Sequence, residues 1–203
     1  AVDRVVWTKN NAGVDVLYCN GPTWSLQPRI AKHSGFDNIA PAAKVKAKRG
    51  ANVEALTDGM LSIYSENTFV KEFETDKTTT ITLTFDDYRE VSAVMLYNSK
   101  TFEKSFVEIQ EIAFDCKDAN GKAGTATIEH LAFDWDFYKM SAVNQMRPGG
   151  SAVAVFHPLL CKEIRITVEV PKTRPDELAI MDELGYFIEQ TAVGISEIVI
   201  LGK

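Results

Sequence analysis

The sequence is poor in the features that mark enzymes, membrane spans and nucleic-acid binders. No apolar run approaches the roughly 18 residues that a membrane-spanning helix requires. Residue 1 is alanine with no charged-then-apolar leader behind it, so the chain reads as a mature or excised piece. Basic residues number 22 against 28 acidic ones, a net charge of −6, and this excludes the dominant basic field that a nucleic-acid surface needs. There is no Gly-x-Ser-x-Gly, no His-Glu-x-x-His and no phosphate-binding glycine loop. The three histidines, His33, His130 and His157, are isolated from one another and read as structural or surface residues. Cysteine is equally scarce: Cys19, Cys116 and Cys161 are an odd number at no metal-binding spacing. A Cys116–Cys161 bridge is one reading, and three small buried thiols the favoured one. No repeat at a fixed period is visible.

Hydrolysis of a glycosidic bond needs two carboxylates facing across a cleft at roughly 5–9.5 Å. Asp134 with Asp136, and Asp182 with Glu183, are pairs of the right type. Acidic residues are so abundant here that these pairs carry no information. The chain is therefore read as non-catalytic, the alternative being a fragment of a larger glycoside hydrolase.

What is present is β pattern. The 203 residues are 45% hydrophobic and 25% charged, an ordinary globular composition long enough to bury a proper core. Val5-Val6-Trp7 and Val14 to Cys19 read as two short strands joined through Asn10-Asn11-Ala12-Gly13, and Gly21 to Pro28 as an irregular segment. In Ala43 to Lys48, small apolar residues alternate with lysines, as in an edge strand protected by charge. Thr79 to Phe85 alternates strictly, Asp86-Asp87 is expected to turn the chain, and Glu90 to Asn98 is apolar on both faces, as an interior strand is. Phe106 to Phe114, a turn at Lys117 to Lys122, and Thr125 to Ile128 form a hairpin pattern. Residues 133–150 form a long aromatic loop. Ala152 to Phe156 and Lys162 to Val170 follow as two strands. Pro171 to Gln190 is an acidic insert with a short helix expected over Pro175 to Leu184, and Gly194 to Gly202 is the last strand. Eight or nine short strands with little helix predict an all-β sandwich.

Two acidic residues stand out within that pattern. Asn52-Val53-Glu54-Ala55-Leu56-Thr57-Asp58-Gly59 opens like one helical turn, directs Leu56 inward and breaks at Asp-Gly, where the backbone can take a positive φ. Asp58 either caps its own turn, the commoner role, or holds a hard cation together with turn carbonyls, the mixture calcium prefers. Glu197 shares a side of the last strand with Val199 and Leu201, and a carboxylate there needs a partner. A calcium ion between Glu197 and the Asp58 turn would satisfy both.

Asn38-Ile39-Ala40, Ala43-Lys44-Val45, Ala55-Leu56-Thr57-Asp58-Gly59, a strand ending at Phe85 and the terminal Ile195-Ser196-Glu197-Ile198 occur in that order. Together they resemble the discoidin, or coagulation factor type C, modules, which are galactose-binding-like jelly rolls. The resemblance spans residues 38–203. Residues 1–37 lie outside it, as an N-terminal extension or the remnant of a preceding module. It implies a jelly-roll β-sandwich with a structural calcium ion held by the side chains of Asp58 and Glu197, the carbonyls of Ala55, Met60 and Ser196, and a hydroxyl from Ser62 or Ser65. In such modules the sugar site lies among the loops at one end of the sandwich. That points to Trp135, Phe137 and Tyr138 as an aromatic surface, with Arg147 and Asn98 as polar partners. Tyr64 stands where a tryptophan often follows the Asp-Gly turn, and the inserts at 133–150 and 171–190 exceed the minimal module. The resemblance, with Arg147-Pro148-Gly149-Gly150 before a late strand, implies an accessory module of a bacterial polysaccharide-degrading protein, secreted, periplasmic or on the cell surface. Its partners would be a glycan and a catalytic domain of the same parent chain. The other reading is a β-sandwich that docks such a domain or another protein and binds no sugar.

Overall fold

A computed structural model describes residues 4–9, 15–20, 26–30, 36–58, 69–72, 78–99, 104–133, 135, 150–170, 180–181, 184, 187–188 and 192–203. Residue 37 and the strands at 4–9, 15–20, 26–30, 69–72, 180–181 and 187–188 are described as backbone.

Three N-terminal strands, β1 (Arg4–Lys9), β2 (Asp15–Asn20) and β3 (Leu26–Ile30), form their own antiparallel sheet. The first two fall where the alternation places them. The segment through Pro28 is a strand rather than irregular chain: β3 is the outer strand of its sheet, and Pro28 lies opposite Tyr18. An edge strand has one side free of ladder bonds, so it tolerates a residue with no N–H.

The remaining strands are β4 (Asp37–Asn38), β5 (Lys44–Ala47), β6 (Gly50–Ala51), β7 (Phe69–Glu72), β8 (Thr78–Asn98), β9 (Glu108–Lys117), β10 (Ala123–Ala132), β11 (Ser151–Glu169), β12 (Ile180–Met181), β13 (Phe187–Ile188) and β14 (Ala192–Gly202). All but the small β12–β13 pair belong to one hydrogen-bonded path in the order β10-β9-β11-β8-β14-β7-β6, with β5 added to β8 and β4 to β14. The path becomes two layers because β8 and β11 each serve both. Thr78–Thr84 pairs with Glu163–Glu169 in the first layer, where β5, β9 and β10 also lie. Ala93–Tyr97 pairs with Ser151–Val155 in the second, beside β14.

Between those halves both strands turn a corner without ending. Asp86-Asp87, expected as a turn, is an exposed stretch of continuous β8, and the two strands expected at 152–156 and 162–170 are one strand, β11. The bend is taken up by irregularities between Val155 and Leu159 and between Cys161 and Glu163. Pro158, which has no N–H to give, falls in the first of them. At this corner Lys117 Nζ sits 4.0 Å from the centre of the Tyr88 ring, and Phe156 meets Phe114 edge-on at 4.9 Å.

The alternation of β8 delivers Ile81, Leu83 and Phe85 to the core and leaves Thr80, Thr82 and Thr84 outside. From β11 come Ile164, Ile166 and Val168, from β9 Ile109, Ile112 and Phe114, and from β14 Ile195, Ile198 and Ile200. Each such side chain contributes roughly 1.5–3 kcal/mol of transfer free energy, and the sandwich is held by their sum against chain entropy. β5 behaves as its lysines predict: Val45 and Ala47 pack on the core while Lys44, Lys46 and Lys48 are exposed. The β9–β10 hairpin closes at Asp118–Lys122, where Gly121 takes φ +77° and Asp118 Oδ1 accepts from the N–H groups of Asn120 and Lys122.

The second layer is apolar on both faces. Val94 and Leu96 point into the main core, while Ala93, Met95, Tyr97, Val199 and Leu201 form a separate buried cluster flanked by Phe36, Val153 and Val155. This explains why Glu90 to Asn98 shows no wet face in its sequence. The helix expected over Pro175 to Leu184 gives way at Ile180–Met181 to β12, paired with β13, and Pro175 to Ala179 lie outside the described residues. Local propensity is a weak prior that tertiary pairing overrides. Among the described residues no helix is long and apolar enough to cross a membrane.

Candidate functional site

Two elements meet beside the end of β14. Residues Val53–Thr57 form a single 3-10 turn, entered from Asn52 in the left-handed region at φ 55°, with Ala55 and Leu56 fully buried and Thr57 nearly so. Leu56 points inward as its sequence requires. The positive φ described in this stretch falls at Asn52, while Asp58 closes the turn at φ −81° and is exposed; Gly59 lies outside the described residues. The turn packs against β14.

On β14 the ladder with β8 slips at Ser196: Ile195 is opposite Asn98, and Glu197 is opposite Tyr97. The slip carries Glu197 to the face of Val199 and Leu201, as alternation predicts, and it is fully buried. Its charge and, more strongly, burial push the Tyr97 hydroxyl well above the ordinary tyrosine range, so that phenol stays protonated. Among the described residues no group of three or more His, Cys, Asp or Glu side chains is placed to hold a metal. The donor set the sequence suggests, the carboxylates of Asp58 and Glu197 with backbone oxygens such as those of Ala55 and Ser196, would be all oxygen. That donor chemistry suits calcium and does not suit a zinc-like ion. Met60, Ser62 and Ser65 lie outside the described residues.

Asn98 was expected as a polar partner for a ligand, and the structure corrects this. It is fully buried and committed to backbone. Its Nδ2 donates to the Phe106 carbonyl at 2.8 Å, and its Oδ1 accepts from the N–H groups of Phe106 at 2.8 Å and Ser99 at 3.1 Å. Its own N–H donates to the Gly150 carbonyl at 2.8 Å, and Ser196 Oγ donates to its carbonyl at 2.8 Å. The side chain thus ties the end of β8 to the chain entering β9, and the backbone of the same residue ties it to the start of β11 and the β14 slip. Asn98 positions this end of the sandwich and offers no face to a ligand.

Trp135 is half-buried, packed on the core, with its ring edge-on to Phe133 at 6.4 Å. Phe137, Tyr138 and Arg147 lie outside the described residues. The exposure of His130 and His157 agrees with their reading as surface residues, and His33 lies outside the described residues.

Sequence reading missed a charge network on the outer face of the first layer. Arg165 donates to Asp115 through two nitrogens, at 2.7 and 2.9 Å, and to Glu163 Oε1 at 2.8 Å. Hydrogen bonds from Arg165 hold the Asp115 carboxyl below its usual range against the opposing effect of desolvation. The spacing Glu163-x-Arg165 was the available signal, because residues two apart on a strand share a face. Asp115 enters only through the register that sets it opposite Glu163.

No protein-family model matches the sequence. No curated protein matches it either. Solved structures do. The family 32 carbohydrate-binding module of Clostridium perfringens NanJ, solved in complex with galactose, superposes with a TM-score of 0.50 at 13% identity, over 81% of this chain and 97% of that one. This chain has the fold of a family 32 carbohydrate-binding module. Also similar are the family 32 module of Streptococcus pneumoniae EndoD (TM-score 0.48, 13% identity, 82% and 100% covered) and a fucose binding module of the same organism (0.45, 14%, 84% and 99%). The galactose-binding-like jelly roll expected from the motif order is thus the observed fold.

Proposed function

We propose that the chain is a non-catalytic carbohydrate-binding accessory module of a secreted or surface glycan-processing protein, with a calcium ion joining the 53–58 turn to the last strand. The observation that carries the reading is the superposition over nearly the whole length of a module whose structure holds galactose. The burial of Glu197 on β14, against which the turn ending in Asp58 packs, supports the calcium part. Asp58 and Glu197 would hold the ion through their side chains, Ala55, Met60 and Ser196 through carbonyls, and Ser62 or Ser65 through a hydroxyl. When bound, calcium supplies positive charge and a rigid link between the turn and β14.

Sugar recognition needs an aromatic surface for the C–H face of a pyranose and a few fixed polar groups around it. Trp135 supplies the described part of that surface; Phe137, Tyr138 and Arg147 are the further candidates. Asn98, fully buried, holds the end of β8 to the chain entering β9. A glycan array probed with the whole chain, once with calcium and once with chelator, tests the proposal. Retention of one glycan class, weakened by chelator, is expected. A blank array from correctly folded protein would overturn it and favour a docking module for a catalytic domain or another protein.

A further inference from the structure

Two cysteines that the calcium and sugar readings do not use lie face to face. Cys161 of β11 and Cys116 of β9 are direct partners across an antiparallel pair, and both are free thiols. Opposed residues in such a pair have Cα atoms about 4.5–5.5 Å apart, inside the 4.4–6.8 Å that a disulfide spans. Both side chains also point the same way, since Cys161 belongs to the main core and Cys116 packs at its margin. The site is at the corner of the sandwich, next to the slip between Cys161 and Glu163, where the ladder has already departed from regular register.

From this placement we infer that Cys116 and Cys161 form a redox pair, closing to a cross-strand disulfide when the module meets a disulfide oxidant. The two thiols have unequal roles. Cys161 is fully buried, and burial, with a smaller contribution from Cys116, pushes its thiol up to about 12. Cys116 is only half-buried, so it is the sulfur an oxidant reaches. With glutathione disulfide, the Cys116 thiolate attacks one sulfur, forms a mixed disulfide and expels a glutathione thiolate. Cys161 then gives up its proton to solvent, attacks the Cys116 sulfur and expels the second glutathione. One S–S bond breaks and one forms; the protein loses two electrons and two protons, and glutathione disulfide gains them. The closed loop spans residues 116–161, which include Trp135 and the rest of the aromatic segment, so oxidation would tether both ends of the chain that carries the proposed sugar surface. The inference does not depend on that surface binding sugar.

The test exposes the native full chain to glutathione disulfide at mildly alkaline pH, then alkylates the remaining thiols in denaturant and maps the peptides by mass. A Cys116–Cys161 cross-linked peptide is expected, with a reductant-reversible rise in Tm of about 5–15 °C. Cys161→Ser should stop at a glutathione adduct on Cys116. Three outcomes would overturn the inference: both thiols still alkylated, a stable adduct on Cys116 of the wild type, or a bridge from either cysteine to Cys19.

Discussion

Asn98 and Glu197 are both fully buried polar residues, and they meet the cost of burial differently. Asn98 matches its amide to backbone groups that would otherwise be stranded, two N–H groups and a carbonyl. Asn98→Ala should therefore cost about 3 kcal/mol of stability, because it removes one side chain and leaves several buried partners wanting. Urea unfolding would measure it. Glu197 carries a carboxyl whose charged form costs much more to bury. If calcium offsets that cost, calcium at about a hundred times its Kd should raise the wild-type Tm by about 5–10 °C. Asp58→Ala and Glu197→Ala should each melt lower than wild type and lose the calcium-dependent rise. Equal stabilisation of wild type and variants would remove the calcium site. Glu197 was legible in the sequence because a lone acid among Ile, Val and Leu is an anomaly at any register. Asn98 was not, since an asparagine ending a strand looks like a surface residue, and the chain crossings that bury it are remote in sequence.

Among the elements, the strands with one wet face were the readable ones. β5, the first half of β8 and the second half of β11 alternate in sequence as they do in space. The corners were not readable, because Asp86-Asp87 and His157-Pro158 carry turn chemistry while the backbone continues as strand. What selects continuation is the pairing of each half with a different layer, a long-range property. β14 ends under a steric constraint of the same kind. A Cβ on Gly202 would lie 2.5 Å from both the Glu90 carbonyl and Ile39 Cδ1. Lys203 and Glu90 exchange backbone hydrogen bonds right beside it. Gly202→Ala should destabilise by about 1–3 kcal/mol through forced separation of β14 from β8, read in the same unfolding assay. Across β9 and β11, Arg165 depresses the Asp115 pKa, so that contribution is present above the ordinary aspartate range and is lost as pH falls through the lower folded value. Both side chains are about a third or more exposed, so solvent screening keeps the effect small. Asp115→Asn should melt below wild type at pH 6, with the gap narrowing towards pH 3.

For the whole molecule, the sandwich was legible in the sequence, because two-layer packing follows from alternating strands with turn signals between them. The second buried cluster was only half legible. The sequence of Glu90 to Asn98 announces burial on both faces, and only the fold shows that the outer one joins Phe36, Val153, Val155 and the end of β14. The candidate sugar surface has one described aromatic, Trp135, packed on the core and edge-on to Phe133. A titration of wild type and Trp135→Ala with the glycan class the array retains, at equal calcium and with matched melting curves, tests the central claim most directly. Saturable binding by the wild type that falls about tenfold or more in Trp135→Ala is predicted. Undiminished affinity in the variant, or no saturable binding by a well-folded wild type, would contradict it.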